Sequence, residues 1–439
     1  MLKPSIVGNE LYFTLPGKYK YNEKFILYLM LGIVVDSELA NTEIDRFAKC
    51  SLEGKLKYNY IYEEKLEEQE IFNTISNLLD DILVERMVSL GKNIPLTLGV
   101  SAGYDSRLLL LILLKNGINC FTYTYGQVGN FDYDFSKSLF YKLDRENCFF
   151  DTSKLNWSLQ KYEQHILKFQ DYPLSPRVIS EQILSERFEE RYDIQGYLND
   201  AFTSPKASLY DSDTWDLAID HFCQMNDQFH FQRLVNNSFI KCIIPEKPLY
   251  EKDILSFDWQ LFLSFRVLQR VKPIGGKGSH FILPFEDDRW LSFWFSSEGG
   301  SLIERQLYLK FLKSLQGPIF FDINNVSITE RSTLKKHSIK SYYGSLARIN
   351  KAYSIYLRKK KWPKKPGAHF CLYTCYCNNI SFRNMLNESI ERLKKRKVFK
   401  EIFIDRIWMG FERGDATAAA MLNGLVSTDI LIEVGVFDE

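Results

Sequence analysis

The chain has 439 residues, enough for one large domain with an appendage or for two domains, with ample material for a core. Hydrophobic residues at 45% and charged residues at 25% fall in the range of globular proteins, and a net charge of +1 excludes a global field that steers the molecule to nucleic acid or an anionic membrane. Eight cysteines with no CxxC spacing point away from a disulfide framework and from a redox pair.

In chain order, residues 1–62 contain short β-like pieces at Glu10 to Leu15 and Leu56 to Tyr62 around an apolar run from Phe25 to Val35. The run is too short to span a bilayer, and Asn22 and Glu23 before it do not resemble a signal peptide, so a cytoplasmic protein without membrane contact is expected. From Glu67 to Leu90, Ile71, Phe72, Ile75, Leu78, Leu79, Ile82, Leu83, Met87 and Leu90 recur at three and four residues and predict an amphipathic helix.

The central stretch is LTLGVSAGYDSRLLLLILL, Leu96 to Leu114. Its apolar run, its Ser-Ala-Gly-Tyr-Asp-Ser turn and the apolar segment from Leu108 read as buried strand, tight loop and helix. Such a loop is expected to aim unpaired backbone NH groups and a helix dipole at one spot, where a phosphate fits. Ser101 and Ser106 add hydroxyls, Gly103 permits a close backbone approach, and Asp105 could bind a magnesium ion on the phosphates. The alternative is that Asp105 or Ser106 merely caps an ordinary helix. Cys120 to Tyr125 reads as the next strand and Asp134 to Leu143 as the next helix, and this β-α-β-α order predicts a parallel sheet with its ligand site at the carboxyl ends of the strands.

Further on, IQGYLNDAFTS (Ile194 to Ser204), taken alone, reads as a turn with a solvated acid at Asp200. Asp211 to Arg270 predicts a helical lobe over the sheet, and Gly275, Gly276 and Gly278 around Lys277 read as a loop without the GxxxxGK[ST] pattern. Asp287 or Asp288 is expected to cap a helix through Trp290, Phe293 and Trp294. Arg358 to Lys365 and Arg392 to Lys397 are basic clusters that could touch nucleic acid or acidic lipid, but in a charge-balanced chain solvated surface is the expected reading. Cys371, Cys375 and Cys377, with His369 nearby, match none of the common zinc spacings, and the three cysteines read as buried free thiols. The tail from Asp415 combines an Ala-rich helix with a β-like ILIEVGVF segment.

Ser101, Gly103, Asp105, Ser106 and Arg107 form an SxGxDSR pattern that resembles the SGGxDS pyrophosphate loop of N-type ATP pyrophosphatases and is most similar to the asparagine synthetase superfamily, with Ala102 in place of that loop's first glycine. The resemblance implies an α/β fold whose parallel sheet forms an ATP-pyrophosphatase (adenine nucleotide alpha hydrolase-like) domain over residues 63–439, with helical additions. Residues 1–62 then stand for the reduced, β-containing end of a glutaminase domain, with Ser51 to Leu56 as its last piece. A glutaminase of this family uses an N-terminal cysteine, whereas this chain begins Met1, Leu2, Lys3 and has its first cysteine at Cys50, so no glutaminase chemistry is expected.

By the same resemblance the strand ending at Gly126 borders an adenine pocket, and Gly196 and Asp200 match the GxGxDE segment that supplies a second magnesium ligand beside Asp105, with Leu198 and Ala201 as departures. Tyr197 is similar to the tyrosine of the β-lactam synthetase branch, which takes part in deprotonating the nucleophile with a glutamate; Glu246 and Glu251 are the nearest acids for that role, and packing is the other reading of Tyr197. Pro284, Phe285 and Asp287 resemble an R-x-P-F-L-D segment with Ile282 at the arginine position, and Lys335 and Lys336 stand where the family has an adenylate-contacting lysine. The implied activity uses ATP and magnesium to adenylate a small-molecule carboxylate, which an amine donor or ammonia, free or released by a separate glutaminase, then converts to an amide. A nucleotide-binding scaffold of the same fold, or adenylation of a macromolecule, are the alternatives.

Overall fold

A computed structural model of the chain describes residues 37–63, 67–90, 94–169, 191–197, 199, 203, 212–225, 244–262, 281–296, 306–315 and 372–436. The predicted pieces at Glu10 to Leu15 and Phe25 to Val35, the glycine loop at 275–278, the cluster at 358–365, and Asp200, Lys335, Lys336, His369 and Cys371 lie outside these residues.

Five strands, β1 (Leu96–Gly99), β2 (Phe121–Gly126), β3 (Cys148–Asp151), β4 (Tyr192–Ile194) and β5 (Phe281–Ile282), form one all-parallel sheet in the order β3-β2-β1-β4-β5. The first two crossovers carry α3 (Tyr104–Lys115) and α4 (Phe131–Leu143), as the β-α-β-α pattern predicts. The chain then returns to the opposite side of β1, where Leu98 pairs with Thr122 of β2 on one flank and Ile194 of β4 on the other. Strand order therefore reverses between β1 and β4, and in open α/β sheets the crevice outside the carboxyl ends of such a pair is the preferred ligand position.

The core explains this arrangement. Helix α3 buries Leu108, Leu109, Leu110, Ile112 and Leu113 against the sheet, and full burial of each such side chain contributes roughly 1.5–3 kcal/mol. It starts at Tyr104, four residues before its apolar run, so the Ser-Ala-Gly turn lies directly between strand end and helix start. The predicted amphipathic helix is α2 (Glu68–Leu90), with Ile71, Phe72, Ile75, Leu79, Ile82 and Leu83 on its buried side.

The strand-like reading of Ser51 to Tyr62 is corrected. Residues Leu56 to Tyr62 are helical, as is Ser51 to Leu56, because all lie in α1 (Ser37–Glu63). That helix runs along α8 (Asp288–Ser296) so closely that a Cβ at Gly54 would overlap the Ser292 carbonyl. Its Ile44, Phe47, Cys50 and Tyr58 belong to the same apolar cluster as the sheet, so within the described residues no separate β layer stands before residue 63. Packing of Tyr58 on Phe293 of α8, ring centres 5.3 Å apart, overrides the β-like pattern of this stretch. Asp287 caps α8 as expected, accepting from Arg289 N at 3.0 Å.

The remaining described helices are α5 (Leu159–Phe169), α6 (Trp215–Met225), α7 (Phe257–Phe262), α9 (Gln306–Ser314) and a C-terminal set, α10 (Leu372–Asn378), α11 (Ile380–Arg396), α12 (Glu401–Glu412) and α13 (Ala416–Glu433). The β-like ILIEVGVF is a second correction: α13 continues through Ile432 and is buried around most of its circumference, an environment in which β-branched residues pack well inside a helix. The set docks on the exit of β3, where Asn379 Nδ2 donates to the carbonyls of Ser153 and Leu155 at 2.9 and 2.7 Å. No described helix is long and apolar enough to cross a membrane.

Candidate functional site

The loop between β1 and α3 is gripped from three sides. Thr124 of β2 and Ser136 of α4 donate their hydroxyls to the Val100 carbonyl at 2.8 and 3.1 Å. Arg107, only 2% exposed, donates from Nη2 to the Ala102 carbonyl at 2.9 Å and from Nε to the Gly103 carbonyl at 3.3 Å. Its guanidinium lies 4.4 Å from the Tyr104 ring centre and 4.7 Å from that of Phe135, so stacking offsets the cost of burying it. Arg107 is visible in the sequence only as the last letter of the motif; its hold on the two loop carbonyls emerges from the fold.

The loop amides differ from the expectation of unpaired donors. Ser101 N donates to Ser106 Oγ at 3.1 Å, Gly103 N to Ser101 Oγ at 3.1 Å, and Ala102 N to the Asp132 carboxylate at 2.8 Å. The physical reason is that a half-buried loop satisfies its donors with whatever acceptors are adjacent. Two of those acceptors are neutral hydroxyls, which lie 3.1 Å from one another. Gly103 has an extended backbone (φ −68°, ψ 145°), and an added Cβ would meet only the Ser101 hydroxyl at 3.1 Å, so neither turn geometry nor backbone contact demands glycine there.

Asp105 lies in the first turn of α3. Its Oδ1 accepts from Asn199 Nδ2 at 2.7 Å and from Tyr308 Oη at 2.8 Å. Asn199 is fully buried, and its Oδ1 accepts from Trp290 Nε1 at 3.2 Å. Because an indole can only donate, Trp290 fixes which end of the Asn199 amide faces Asp105. The contact thus joins α3 to the β4 exit, α8 and α9. Asn199, Tyr308 and Trp290 carry no motif, and the sequence offers no signal for them beyond the position of Asn199 beside the GxGxDE-like segment.

Gly196 closes the crevice from the β4 side. A Cβ there would lie 3.1 Å from Asp105 Cβ and 3.4 Å from Ser106 N, so the β4 exit presses against the start of α3. Sequence spacing and tertiary structure agree in placing the two loops together at the switch point. Tyr197 is half-buried and packs against the apolar core, while Glu246 and Glu251 are exposed. Gly126 is buried at the end of β2, where a Cβ would collide with the Asn130 side chain at 2.7 Å; Asn130 caps α4 by accepting from Tyr133 N at 3.0 Å.

Behind the crevice Asp193 of β4 is buried and accepts from Thr97 Oγ1 at 2.7 Å, from Tyr123 Oη at 3.0 Å and from the Gln195 amide. These donors meet the demand that a buried carboxylate be hydrogen-bonded.

The oxygen donors around the loop, Asp105, Asp132, Ser101 and Ser106, are of the class magnesium takes, and magnesium on a polyphosphate needs only one or two protein carboxylates. Among the described residues no group of three His, Cys, Asp or Glu side chains is placed to hold an ion alone. Cys375 is buried with its Sγ 3.2 Å from Gln127 Nε2, and burial pushes the Cys50 thiol up to about 12, so Cys50 has no thiolate character near neutrality.

A Ser-His-Asp grouping occurs elsewhere, at Ser212, His221 and Asp258. Ser212 Oγ is 3.0 Å from His221 Nδ1 and 2.9 Å from Asp258 Oδ1, so histidine and carboxylate meet the same hydroxyl. A relay requires the carboxylate on the far ring nitrogen, so this group is a clamp between α6 and α7. In the second basic cluster Lys395 and Lys397 are exposed as expected, whereas Arg392, Lys394 and Arg396 are paired, a correction to the expected solvated face. Arg392 pairs with Glu163 and Asp429 at 2.9 and 2.8 Å, Arg396 with Asp429 and Glu433, and Lys394 with Asp405 at 2.8 Å.

No family model matches this chain, and no curated protein matches it.

Proposed function

We propose that the chain is an ATP- and magnesium-dependent ligase that adenylates a carboxylate and transfers the acyl group to ammonia or an amine. One observation carries the reading: the SAGYDSR loop lies at the switch point of a parallel sheet, closed on its second side by Gly196 of the QGY segment. In this reading a substrate carboxylate oxygen attacks the α-phosphorus of ATP and pyrophosphate leaves; the amine nitrogen then attacks the acyl carbon and AMP leaves. Carboxylate is a poor electrophile, and the adenylate supplies the leaving group.

The chain's contribution is positioning and electrostatics. Ser101 and Ser106 turn their hydroxyls from the loop amides toward phosphate oxygens, Arg107 holds the loop carbonyls away from them, and Asn199 with Tyr308 sets the Asp105 carboxylate. Asp105, with Asp200 by analogy of position, would hold a magnesium ion, which would supply positive charge against the phosphates. Tyr197, Lys335 and Lys336 are the proposed proton-transfer and adenylate contacts.

The second reading, a nucleotide-binding scaffold without catalysis, is favoured by the three loop amides that already have acceptors. ATP–pyrophosphate exchange across amino acids, uronic acids and peptide acids separates the two. The ligase reading expects acid-dependent exchange that falls at least about 100-fold in Asp105→Ala. ATP binding without exchange for any acid supports the scaffold, and absence of ATP binding rejects both.

A further inference from the structure

We infer that Asp132 determines which form of phosphate the loop accepts, discriminating in favour of polyphosphate that carries a divalent cation. The inference rests on the proposed phosphate loop and adds a residue to it. Of the three acceptors on the loop amides, Ser101 Oγ and Ser106 Oγ are neutral and can rotate, whereas the one on Ala102 N is a carboxylate oxygen at 2.8 Å. Asp132 thus presents an acidic group at the position where a phosphate oxygen would accept.

The carboxylate is carried by a rigid element. Asp132 lies in the first turn of α4, whose N-cap Asn130 is buried beneath Gly126. One turn later Ser136 donates to the Val100 carbonyl, so α4 grips the loop on both sides of Ser101. A free phosphate arriving at Ala102 N therefore meets a fixed negative charge, and Coulomb repulsion in a partly buried crevice weakens its binding. A divalent cation between phosphate and Asp132 reverses the sign of that interaction, since oxygen donors from both satisfy it.

The test is calorimetric titration of the full chain with inorganic pyrophosphate, once with magnesium and once with chelator, for the unaltered protein, Asp132→Asn and Asp132→Ala. Asp132→Asn keeps an oxygen for Ala102 N and removes the charge. The expected result is about tenfold tighter binding of metal-free pyrophosphate and no gain for the magnesium complex, so that selectivity for the complex falls about tenfold or more. Asp132→Ala is expected to shift selectivity the same way and to speed hydrogen exchange at the Ala102 amide, with thermal melts confirming that both variants fold. Unchanged selectivity in Asp132→Asn, with the unaltered protein still binding pyrophosphate, overturns the role of Asp132 alone. Pyrophosphate binding by none of the three proteins in either condition overturns the phosphate-loop reading and this inference with it.

Discussion

Two aspartates organise different parts of the molecule, and they are held in different ways. Asp429, fully buried in α13, is paired with the guanidinium groups of Arg392 and Arg396 and accepts from Ser389 Oγ at 2.9 Å. At the loop, Asp105 Oδ1 is held by an amide and a phenol, Asn199 and Tyr308. Charged partners cancel a buried charge and lock helices together; neutral donors fix the direction of the carboxylate oxygen they bind. The first arrangement suits a structural seam, and the second sets the orientation of one carboxylate oxygen at the loop.

The largest expected effect comes from breaking the seam. Asp429→Ala leaves two guanidinium groups facing a buried gap and is expected to cost about 3 kcal/mol in urea unfolding, with ATP–pyrophosphate exchange per folded molecule unchanged. A cost under about 1 kcal/mol would mean that the seam is solvated and that the contrast with Asp105 fails. Next is Asn199→Ala, which removes a donor to Asp105 and to Tyr308 and leaves Trp290 Nε1 without its acceptor. It is expected to cost about 2 kcal/mol and, unlike the first variant, to lower exchange per folded molecule. Equal exchange in both variants would remove the distinction between the two aspartates.

The smallest effect sharpens the comparison at the surface. Burial opposes ionisation of Asp287, but hydrogen bonds and attraction from Arg289 outweigh it and hold this carboxyl below the ordinary aspartate value of 3.8. A lowered folded-state value means that the unfolded chain binds protons more readily. The contribution of Asp287 is therefore complete above about pH 4 and is lost as pH falls through its folded-state value. Asp287→Asn, which retains the cap, is expected to cost about 0.5 kcal/mol at pH 7 and progressively less toward pH 2, read as the difference between two stability curves. A constant difference across that range would show that the charge of Asp287 is not the cause.

The parts of the fold legible in the sequence share one property. The strand-loop-helix from Leu96 to Leu114, the strand at Phe121, the amphipathic α2 and the cap at Asp287 are each written within a dozen or so neighbouring residues. Where local signals misled, a distant surface was responsible. The β-like piece at Leu56 to Tyr62 becomes helix because α8 covers one side of α1, and Ile430 to Ile432 stay helical because α13 is enclosed. The basic run at Arg392 looks solvated until Asp429 and Glu433, some forty residues onward, close on it.

The candidate site divides in the same way. Its loop, its half-buried acid Asp105 and its neighbour Gly196 are marked in the sequence by residue type and order, because turn chemistry and strand-helix punctuation are short-range properties. The Asp132 carboxylate on Ala102 N and the Asn199–Tyr308–Trp290 set around Asp105 were decided by tertiary structure alone. A hydrogen bond between residues 94 or 203 positions apart has no periodicity to announce it, and exists only once the sheet order has brought β1 beside β4 and packing has seated α8 and α9 against them.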